Sequence, residues 1–215
     1  MLSQLATHYR MHCSIAECIT HAYDKALIPA QSRQETQSGS DILAGYRLLW
    51  LPSGGDTDGK THPQEVTRVI QLTRILLKTW QPEQIGIITP WRAQVAQIRH
   101  ALHEAGLPDV TADTVDRFQG SEKEVILFSV AVGSSQPLDG ATSIMEERLD
   151  VDRKLLVALS RAKEQVIVLA HQPSLRRNAA WMRSLSYFQV IDYEGVANSH
   201  SEKQVGDSPS PARPG

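Results

Sequence analysis

The stretch from Thr114 to Glu124 reads Thr-Val-Asp-Arg-Phe-Gln-Gly-Ser-Glu-Lys-Glu and runs directly into the apolar sequence Val125-Ile126-Leu127-Phe128. A second polar loop, Ser160-Arg161-Ala162-Lys163, is followed shortly by another apolar run, Val166-Ile167-Val168-Leu169. Short continuous apolar runs are typical of strands in a parallel sheet that is covered on both faces, and functional loops stand at the ends of such strands. The sequence therefore predicts an α/β fold whose chemistry lies in its loops.

Candidate strands and helices alternate along the rest of the chain. Strands are predicted from short apolar runs at residues 46–51, 85–89, 110–114, 124–130 and 165–170. Helices are predicted around residues 15–22, behind Pro63, over residues 95–105, after a cap at Asp150 or Asp152, and behind Pro173. From about Ala197 the composition turns to Ser, Pro, Gly and charge. We therefore expect one domain over residues 1–195 and a disordered tail over residues 196–215.

Composition limits the class of protein. The 215 residues are 41% hydrophobic, which suffices for one well-buried domain. The net charge of −2 gives no global basic field, so binding to nucleic acid has to come from a local face. Two cysteines fit a reducing compartment, and no apolar run reaches the ~18 residues that span a bilayer. With no secretory signal at Met1, we expect a cytoplasmic or nuclear protein without a membrane partner.

A cluster of potential metal ligands lies near the start of the chain, at His8, His12, Cys13, Cys18 and His21. Zinc accepts such ligands, but their spacing matches no common finger. Cys18 also falls on an apolar helical face, where a buried free cysteine is ordinary. We interpret the cluster as structural and predict no metal site in this chain.

The segment from Gly54 to Thr61 reads Gly-Gly-Asp-Thr-Asp-Gly-Lys-Thr and fits the phosphate-loop pattern letter for letter. Two features speak against that function. Asp56 and Asp58 place negative charge where phosphate oxygens would bind, and Pro63 predicts a helix that starts later than a phosphate loop requires. We interpret the segment as a connection; the alternative is a stand-alone nucleotide hydrolase that uses Lys60.

Four segments, in their order along the chain, resemble motifs of superfamily 1 helicases. They are residues 5–15 (Leu-Ala-Thr-His-Tyr-Arg-Met-His-Cys-Ser-Ile), 85–95 (Ile-Gly-Ile-Ile-Thr-Pro-Trp-Arg-Ala-Gln-Val), 114–124 and 155–163. The pattern is similar to the 5′-to-3′ branch, which contains the nonsense-mediated-decay RNA helicase and DNA-replication helicase-nucleases. It covers roughly Gln4 to Val190 and corresponds to the second helicase domain only. The resemblance implies a three-layer RecA-like P-loop NTPase fold, a parallel sheet flanked by helices.

The chain departs from the pattern of that branch at four positions. His8 and Cys13 stand where the family usually has Gln and Pro, Leu156 stands where it has Asn, and Trp91 replaces Tyr. None of these changes removes an arginine that the resemblance assigns to phosphate.

The resemblance implies that ATP, with Mg²⁺, binds between two RecA-like domains. The first domain would supply the phosphate loop and the Mg²⁺ ligands, and this chain would supply arginine fingers at Arg10 and Arg161. A guanidinium suits that role because it stays charged and offers a rigid fork of donors to phosphate oxygens. The implied nucleotide contacts are Tyr9, Gln119, Gly120 and Glu122. The alternatives are a core tyrosine at position 9 and an ordinary turn with a solvated Glu122.

The nucleic-acid contacts implied by the matching motifs are Thr89, Pro90, Arg92, Thr114 and Arg117. Hydroxyls, backbone amides and arginines at strand ends grip the phosphates of a single strand without reading its sequence. Trp91 has two interpretations: it stacks on a base, or it packs in the core as most tryptophans do.

Taken together, the sequence predicts the C-terminal motor domain of an ATP-dependent DNA or RNA helicase. We expect it to be inactive without an N-terminal RecA-like domain, present in cis or in trans. The alternative is a non-catalytic, helicase-like module that binds nucleic acid or a partner protein.

Overall fold

The computed structural model describes residues 7–8, 11–20, 28–29, 43, 45–134 and 152–193. The strands described there are β1 (Thr7–His8), β2 (Ile28–Pro29), β3 (Leu48–Ser53), β4 (Ile85–Thr89), β5 (Thr111–Thr114), β6 (Lys123–Ser129), β7 (Ala162–His171) and β8 (Gln189–Val190). The α-helices are α1 (Cys13–Ile19), α2 (Pro63–Leu76), α3 (Arg92–Glu104), α4 (Arg153–Ser160), α5 (Gln172–Leu175) and α6 (Ala179–Leu185). A short 3-10 helix covers Pro82–Gln84.

Six of these strands form one sheet in the order β5-β4-β6-β7-β3-β8, and every pairing in it is parallel. β1 and β2 pair separately. Because all six strands point the same way, their carboxyl ends form one edge of the sheet and their amino ends the other. We name these the carboxyl edge (Ser53, Thr89, Thr114, Ser129, His171) and the amino edge (Leu48, Ile85, Thr111, Lys123, Ala162).

Helices cover both faces of the sheet, which confirms the predicted three-layer α/β fold. Side chains alternate between the faces along each strand. Trp50 and Phe128 pack with residues of α1, α4 and α6, whereas Leu49 and Leu127 pack with residues of α2 and α3. The inner strands β3, β4, β6 and β7 carry apolar runs because their faces are buried against the helical layers, whereas the outer strands β5 and β8 are partly polar and partly exposed.

Helix starts follow the predicted signals. Pro63 opens α2 behind a cap at His62, whose Nδ1 accepts a hydrogen bond from the Glu65 N–H. The Asp152 carboxylate caps α4 by accepting from the Leu155 N–H at 2.9 Å, and it also accepts from the Trp181 indole at 3.0 Å. Of the two candidates for this cap, the structure selects Asp152.

Several element boundaries differ from the prediction by one to three residues, among them the start of β7, which is Ala162 rather than residue 165, and the end of β3. β3 runs to Ser53 rather than ending at residue 51, because Pro52 and Ser53 still pair with Ala170 and His171 of β7. β8 reaches only Leu49 and Trp50, so the other side of Pro52 has no partner in that strand. Proline is tolerated at such a strand end. The helix predicted behind Pro173 is divided into α5 and α6, since Asn178 caps a new helix by accepting from the Trp181 N–H. The tail predicted at residues 196–215 lies outside the described residues.

The helices of the described part of the chain are all too short or too polar to cross a membrane.

Candidate functional site

Arg161 stands on the amino edge, where α4 ends and β7 begins. Its carbonyl accepts a hydrogen bond from the Lys123 N–H at 3.0 Å, which brings the end of the 114–124 segment beside it. The half-buried guanidinium donates from Nε to the Val157 carbonyl at 3.3 Å and from Nη2 to the Ser160 hydroxyl at 3.1 Å. These contacts hold the positive charge at the end of its own helix.

The predicted nucleotide contacts Gln119, Gly120 and Glu122 are all exposed on this same edge. Gly120 has φ +87°, a left-handed conformation that strains any residue with a Cβ. A Cβ placed there would meet no atom within 4 Å, so open space adjoins the backbone of this turn. The turn itself requires glycine, and the exposed backbone is accessible to a ligand.

Arg10 and Tyr9 lie outside the described residues. Two residues after Arg10, the His12 N–H donates to the Lys163 carbonyl at 2.7 Å. Position 12 is thus tied to the strand that begins one residue after Arg161. Burial, with a further contribution from the positive charge of Arg47, lowers the pKa of His12. The imidazole is therefore neutral at physiological pH and adds no charge to the amino edge.

The carboxyl edge carries a small cleft next to β4 and β5. The cleft measures about 160 Å³ and is lined by Arg92, Val95, Ala96, Arg99, Asp113, Thr114 and Arg117. It brings together three of the five residues predicted to contact nucleic acid, namely Arg92, Thr114 and Arg117. Arg92 and Arg117 are exposed, so their charges are available to a ligand in water.

Arg99 also lines this cleft, and it was not among the contacts predicted from the sequence. Its Nε donates to the Ala112 carbonyl and its Nη2 to the Asp113 carboxylate, each at 2.9 Å. Helical spacing could have predicted this, because Arg99 lies seven residues after Arg92 and therefore on the same face of α3.

The other two predicted contacts do not line the cleft. Thr89 is buried; its hydroxyl accepts from the Trp91 N–H at 3.5 Å and its carbonyl from the Val115 N–H at 3.2 Å. Pro90 is half-buried beside it. These residues shape the turn from β4 into α3, while the exposed donors come from the arginines.

Trp91 is 9% exposed and belongs to the hydrophobic core, which decides between its two interpretations in favour of packing. The Lys60 ammonium lies over the Trp91 ring, 5.1 Å from its centroid. That arrangement is a cation–π contact.

The phosphate-loop lookalike at residues 54–61 is not shaped as a phosphate cradle. As predicted, α2 begins only at Pro63, and the His62 ring occupies the N-terminus of the helix. The Thr57 N–H, which a cradle would turn towards phosphate, donates to the Asp56 carboxylate at 2.8 Å. Lys60 is directed at the Trp91 ring.

The 114–124 segment connects the two edges. It leaves the carboxyl end of β5 at Thr114 and reaches the amino end of β6 at Lys123. Between these ends Val115 and Phe118 are buried in the core, each 2% exposed. One short stretch of chain therefore carries cleft residues at its start and the turn beside Arg161 at its end.

A sequence profile described as "AAA domain" matches residues 1–173. The DNA replication ATP-dependent helicase/nuclease DNA2 of Bos taurus is 32% identical over 160 residues, which cover 74% of this chain and 14% of that protein. Helicase SEN1 of Saccharomyces cerevisiae is 31% identical over 202 residues, covering 82% and 8%. The regulator of nonsense transcripts 1 homolog of Drosophila melanogaster is 30% identical over 175 residues, covering 78% and 14%. The chain spans a small part of these relatives.

A solved structure supports the fold independently. It is the C-terminal domain of a possible DNA helicase from Lactobacillus plantarum WCFS1, which superposes with a TM-score of 0.51 at 15% identity and covers 85% of this chain and 98% of that domain. The profile match includes both edges of the sheet and all four motif segments. The chain belongs to this AAA domain family, as the C-terminal RecA-like domain of superfamily 1 helicases.

Proposed function

We propose that this chain is the C-terminal motor domain of an ATP-dependent helicase, with the nucleotide at its amino edge and a single strand of DNA or RNA at its carboxyl edge. One observation carries the proposal. The 114–124 segment begins in the arginine-lined cleft and ends hydrogen-bonded to Arg161. A domain that couples ATP hydrolysis to movement along a strand needs such a connection between its two ligand faces.

On the amino edge, the chain's own residues fit contacts to ATP phosphates. The guanidinium of Arg161 supplies a permanent positive charge with several donors, and the exposed backbone at Gly120 leaves room for close approach. Arg10 and Tyr9 are assigned to the same ligand by their motif. Mg²⁺ and the phosphate loop would be held by an N-terminal RecA-like domain, in cis or in trans.

When bound, the nucleotide supplies the phosphoryl chemistry, and the role of this chain is to stabilise the charge that develops on the phosphate. Closure of the two domains brings Arg161 towards the terminal phosphate, and opening after hydrolysis withdraws it. Its present hydrogen bonds to Val157 and Ser160 keep the guanidinium close to the domain surface until closure.

On the carboxyl edge, Arg92 and Arg117 present positive charge at a cleft in which Arg99 is ion-paired with Asp113, although the whole chain is slightly acidic. Arginine side chains suit the phosphates of a flexible strand, and such contacts position the strand without reading its bases. We propose 5′-to-3′ movement, as in the branch that the four motifs resemble. The compartment of such a helicase is the cytoplasm or the nucleus.

The proposal is tested by Arg161→Ala in a longer polypeptide that joins this chain to a phosphate-loop domain. We expect strand-stimulated ATP turnover to fall at least about a hundredfold while ATP binding is retained, as for a group that acts chiefly in the transition state. Arg176→Ala, at an exposed arginine beyond α5, is the matched control and should leave turnover within about twofold. Full turnover by Arg161→Ala would overturn the assignment.

A second candidate function is a binding module without catalysis. It is favoured by the geometry of residues 54–61, which do not form a phosphate cradle in this chain. The sequence of the longer polypeptide that contains this domain distinguishes the two candidates. A phosphate loop and an Asp-Glu pair preceding this domain would support the motor, and their absence would support the binding module.

A further inference from the structure

Glu65, on the first turn of α2, is fully buried at the carboxyl edge of the sheet. Its carboxylate accepts three hydrogen bonds, from the Ser53 hydroxyl at 2.8 Å, the Ser129 hydroxyl at 2.7 Å and the Ala131 N–H at 3.0 Å. These donors stand at the ends of β3 and β6 and just beyond β6. A buried carboxyl group is costly unless it is well hydrogen-bonded, so these three contacts hold the two strand ends around one point.

The same network extends to α3. The buried Gln94 donates from Nε2 to the Ser129 hydroxyl at 3.0 Å, and its Oε1 accepts from the His62 N–H at 2.9 Å. The donors therefore form a directed chain from Gln94 through Ser129 to Glu65. Gln94 lies in the first turn of α3, two residues after Arg92. One hydroxyl group thus separates Glu65 from the helical turn that carries a cleft arginine.

Ala131 is held by Glu65 in an unfavourable backbone conformation. Of the non-glycine residues that the structure describes, Ala131 alone has a positive φ, at 51°. The left-handed region is unfavourable for an L-residue, and alanine has no polar side chain to compensate. The hydrogen bond from its N–H to Glu65 supplies a local reason for that conformation.

The backbone beyond Ala131 is packed closely against the loop that follows β3. A Cβ on Gly133 would clash with Asp56 Oδ1 and lie 2.8 Å from the Thr57 nitrogen. The chain leaving β6 therefore has little freedom to shift while Ala131 keeps its conformation. Both loops stand on the same edge of the sheet as the arginine cleft.

We propose that Glu65 is a positioning residue for the strand-binding edge: it fixes the chain leaving β6 and, through Ser129 and Gln94, the start of the helix that presents Arg92. The inference rests on the proposed function, because it assigns a role for that edge in holding a strand. Glu65 itself is buried and does not touch the strand.

The chemistry of the network indicates which substitution preserves it. Burial raises the pKa of Glu65 to about 7, against the opposing hydrogen bonds from Ser129, Ser53 and Ala131 and the charge of Arg68. Burial lowers the pKa of the neighbouring His62, the cap of the same helix; the charges of His171 and Arg68 lower it further and that of Asp56 opposes them. Glu65 therefore takes up a proton near neutrality. Ser53 is the only one of the three donors bonded to Oε1, and its hydroxyl can rotate to accept.

A protonated Glu65, or a glutamine in its place, can therefore keep the Ser129 and Ala131 hydrogen bonds on the other oxygen. Alanine can keep none of them. Because Glu65→Gln and Glu65→Ala remove the same charge, any difference between them reports the hydrogen bonds and packing rather than the electrostatic field. Loss of a negative charge alone would tighten binding to a polyanion, so weaker binding has the opposite sign to the field effect.

The test uses the 215-residue chain, a single-stranded oligothymidylate and two readouts: binding affinity, and the backbone amide NMR signals of Ala131 and Gln94. We expect Glu65→Ala to weaken binding at least about fivefold and to shift both signals. Its loss of affinity should be comparable to that of Arg92→Ala. Glu65→Gln should bind within about twofold of the parent. It should also abolish a titration of the Ala131 signal that the parent shows with a midpoint near pH 7. Glu104→Ala, at an exposed carboxylate of α3, is the charge-matched control.

Glu65→Ala that binds like the parent, while Arg92→Ala binds weakly, overturns the positioning role and leaves the proposed function intact. If the parent chain does not bind the strand, or if Arg92→Ala binds it as tightly as the parent does, the carboxyl edge is not the strand-binding site. That result overturns this inference as well. If Glu65→Ala fails to fold, Ser129→Ala removes only the relaying hydroxyl and carries the same expectation and the same contrary outcome.

Discussion

The carbonyl oxygen of Arg161 and the backbone N–H of Lys123 are 3.0 Å apart and hydrogen-bonded, although 38 positions separate the two residues in the sequence. This bond joins the end of α4 to the start of β6. It places the 119–122 turn next to the arginine assigned to the terminal phosphate. The geometry of that turn should therefore matter to nucleotide contacts, and it can be tested without a nucleotide.

Gly120→Ala should destabilise the domain by about 1 kcal/mol, since the left-handed φ of +87° strains any residue with a Cβ. Urea unfolding measures the change. Gly54→Ala is the control: its Cβ would have Gln64 Oε1 as its nearest neighbour, at an ordinary 3.7 Å, and its φ is not in the left-handed region. Equal stability of Gly120→Ala and the parent would contradict the described turn.

The stability of the domain should depend on pH through Glu65. Its pKa rises from the usual 4.5 in the unfolded chain to about 7 in the folded protein. The folded state therefore binds the proton more tightly, and this contribution to stability is complete below pH 4.5 and is lost as the pH rises towards 7. The difference between the two pKa values corresponds to about 3 kcal/mol in the free energy of unfolding.

The measurement is the free energy of unfolding of the parent and of Glu65→Gln across this pH range. The glutamine variant should gain stability relative to the parent between pH 5 and pH 8, because it carries no proton to lose. Glu104→Gln corrects for the general effect of removing a carboxylate. A constant difference between parent and Glu65→Gln would show that Glu65 does not titrate in this range.

Arg117→Ala should weaken binding of single strands by a similar factor for every sequence tested. Its exposed guanidinium lines the cleft and, as a phosphate contact, carries no base specificity. The slope of log affinity against log salt should fall by about one. Arg74→Ala, at an exposed arginine in the last turn of α2, should leave the slope unchanged. An unchanged slope for Arg117→Ala would remove this residue from the strand face.

The purified 215-residue chain should neither hydrolyse ATP nor unwind a duplex. The physical reason is the shape of residues 54–61, where Lys60 faces the Trp91 ring and the Asp56 carboxylate accepts a hydrogen bond from the Thr57 N–H. A coupled ATPase assay with and without single strand is the measurement, and Lys60→Ala should bind ATP no differently from the parent. Robust strand-stimulated hydrolysis by the chain alone would refute this expectation.

The fold was largely predictable because its signals are local. β4 was predicted with its observed bounds, since the short run Ile-Gly-Ile-Ile-Thr lies between Gln84 and Pro90. The cap at Asp152 and the proline in the first turn of α2, Pro63, are also local signals. Arg92 and Arg117 were predicted from their motifs, and the structure brings them to one cleft. Their assigned contacts, like those of Arg10 and Arg161, stay predictions.

The buried network was not predictable from the sequence. Glu65 follows Pro63 and precedes an apolar face, a position where an acidic residue is ordinary and solvated. Its burial depends on Ser53, Ser129 and Ala131, which come from other parts of the chain. The positive φ of Ala131 is likewise set by that distant partner, because alanine itself gives no signal for it.

The position of β3 in the sheet has a consequence for the order in which the protein can fold. β3 lies between β7 and β8, and Leu48 pairs with Val166, so its neighbours are synthesised more than a hundred residues after it. Until the ribosome has released β7, this apolar strand has neither of its partners in the sheet. Contacts of such long range slow folding and expose the waiting strand to misassociation. A polypeptide truncated before Ala162 would leave β3 without either neighbour, and we expect it to aggregate or to depend on chaperones.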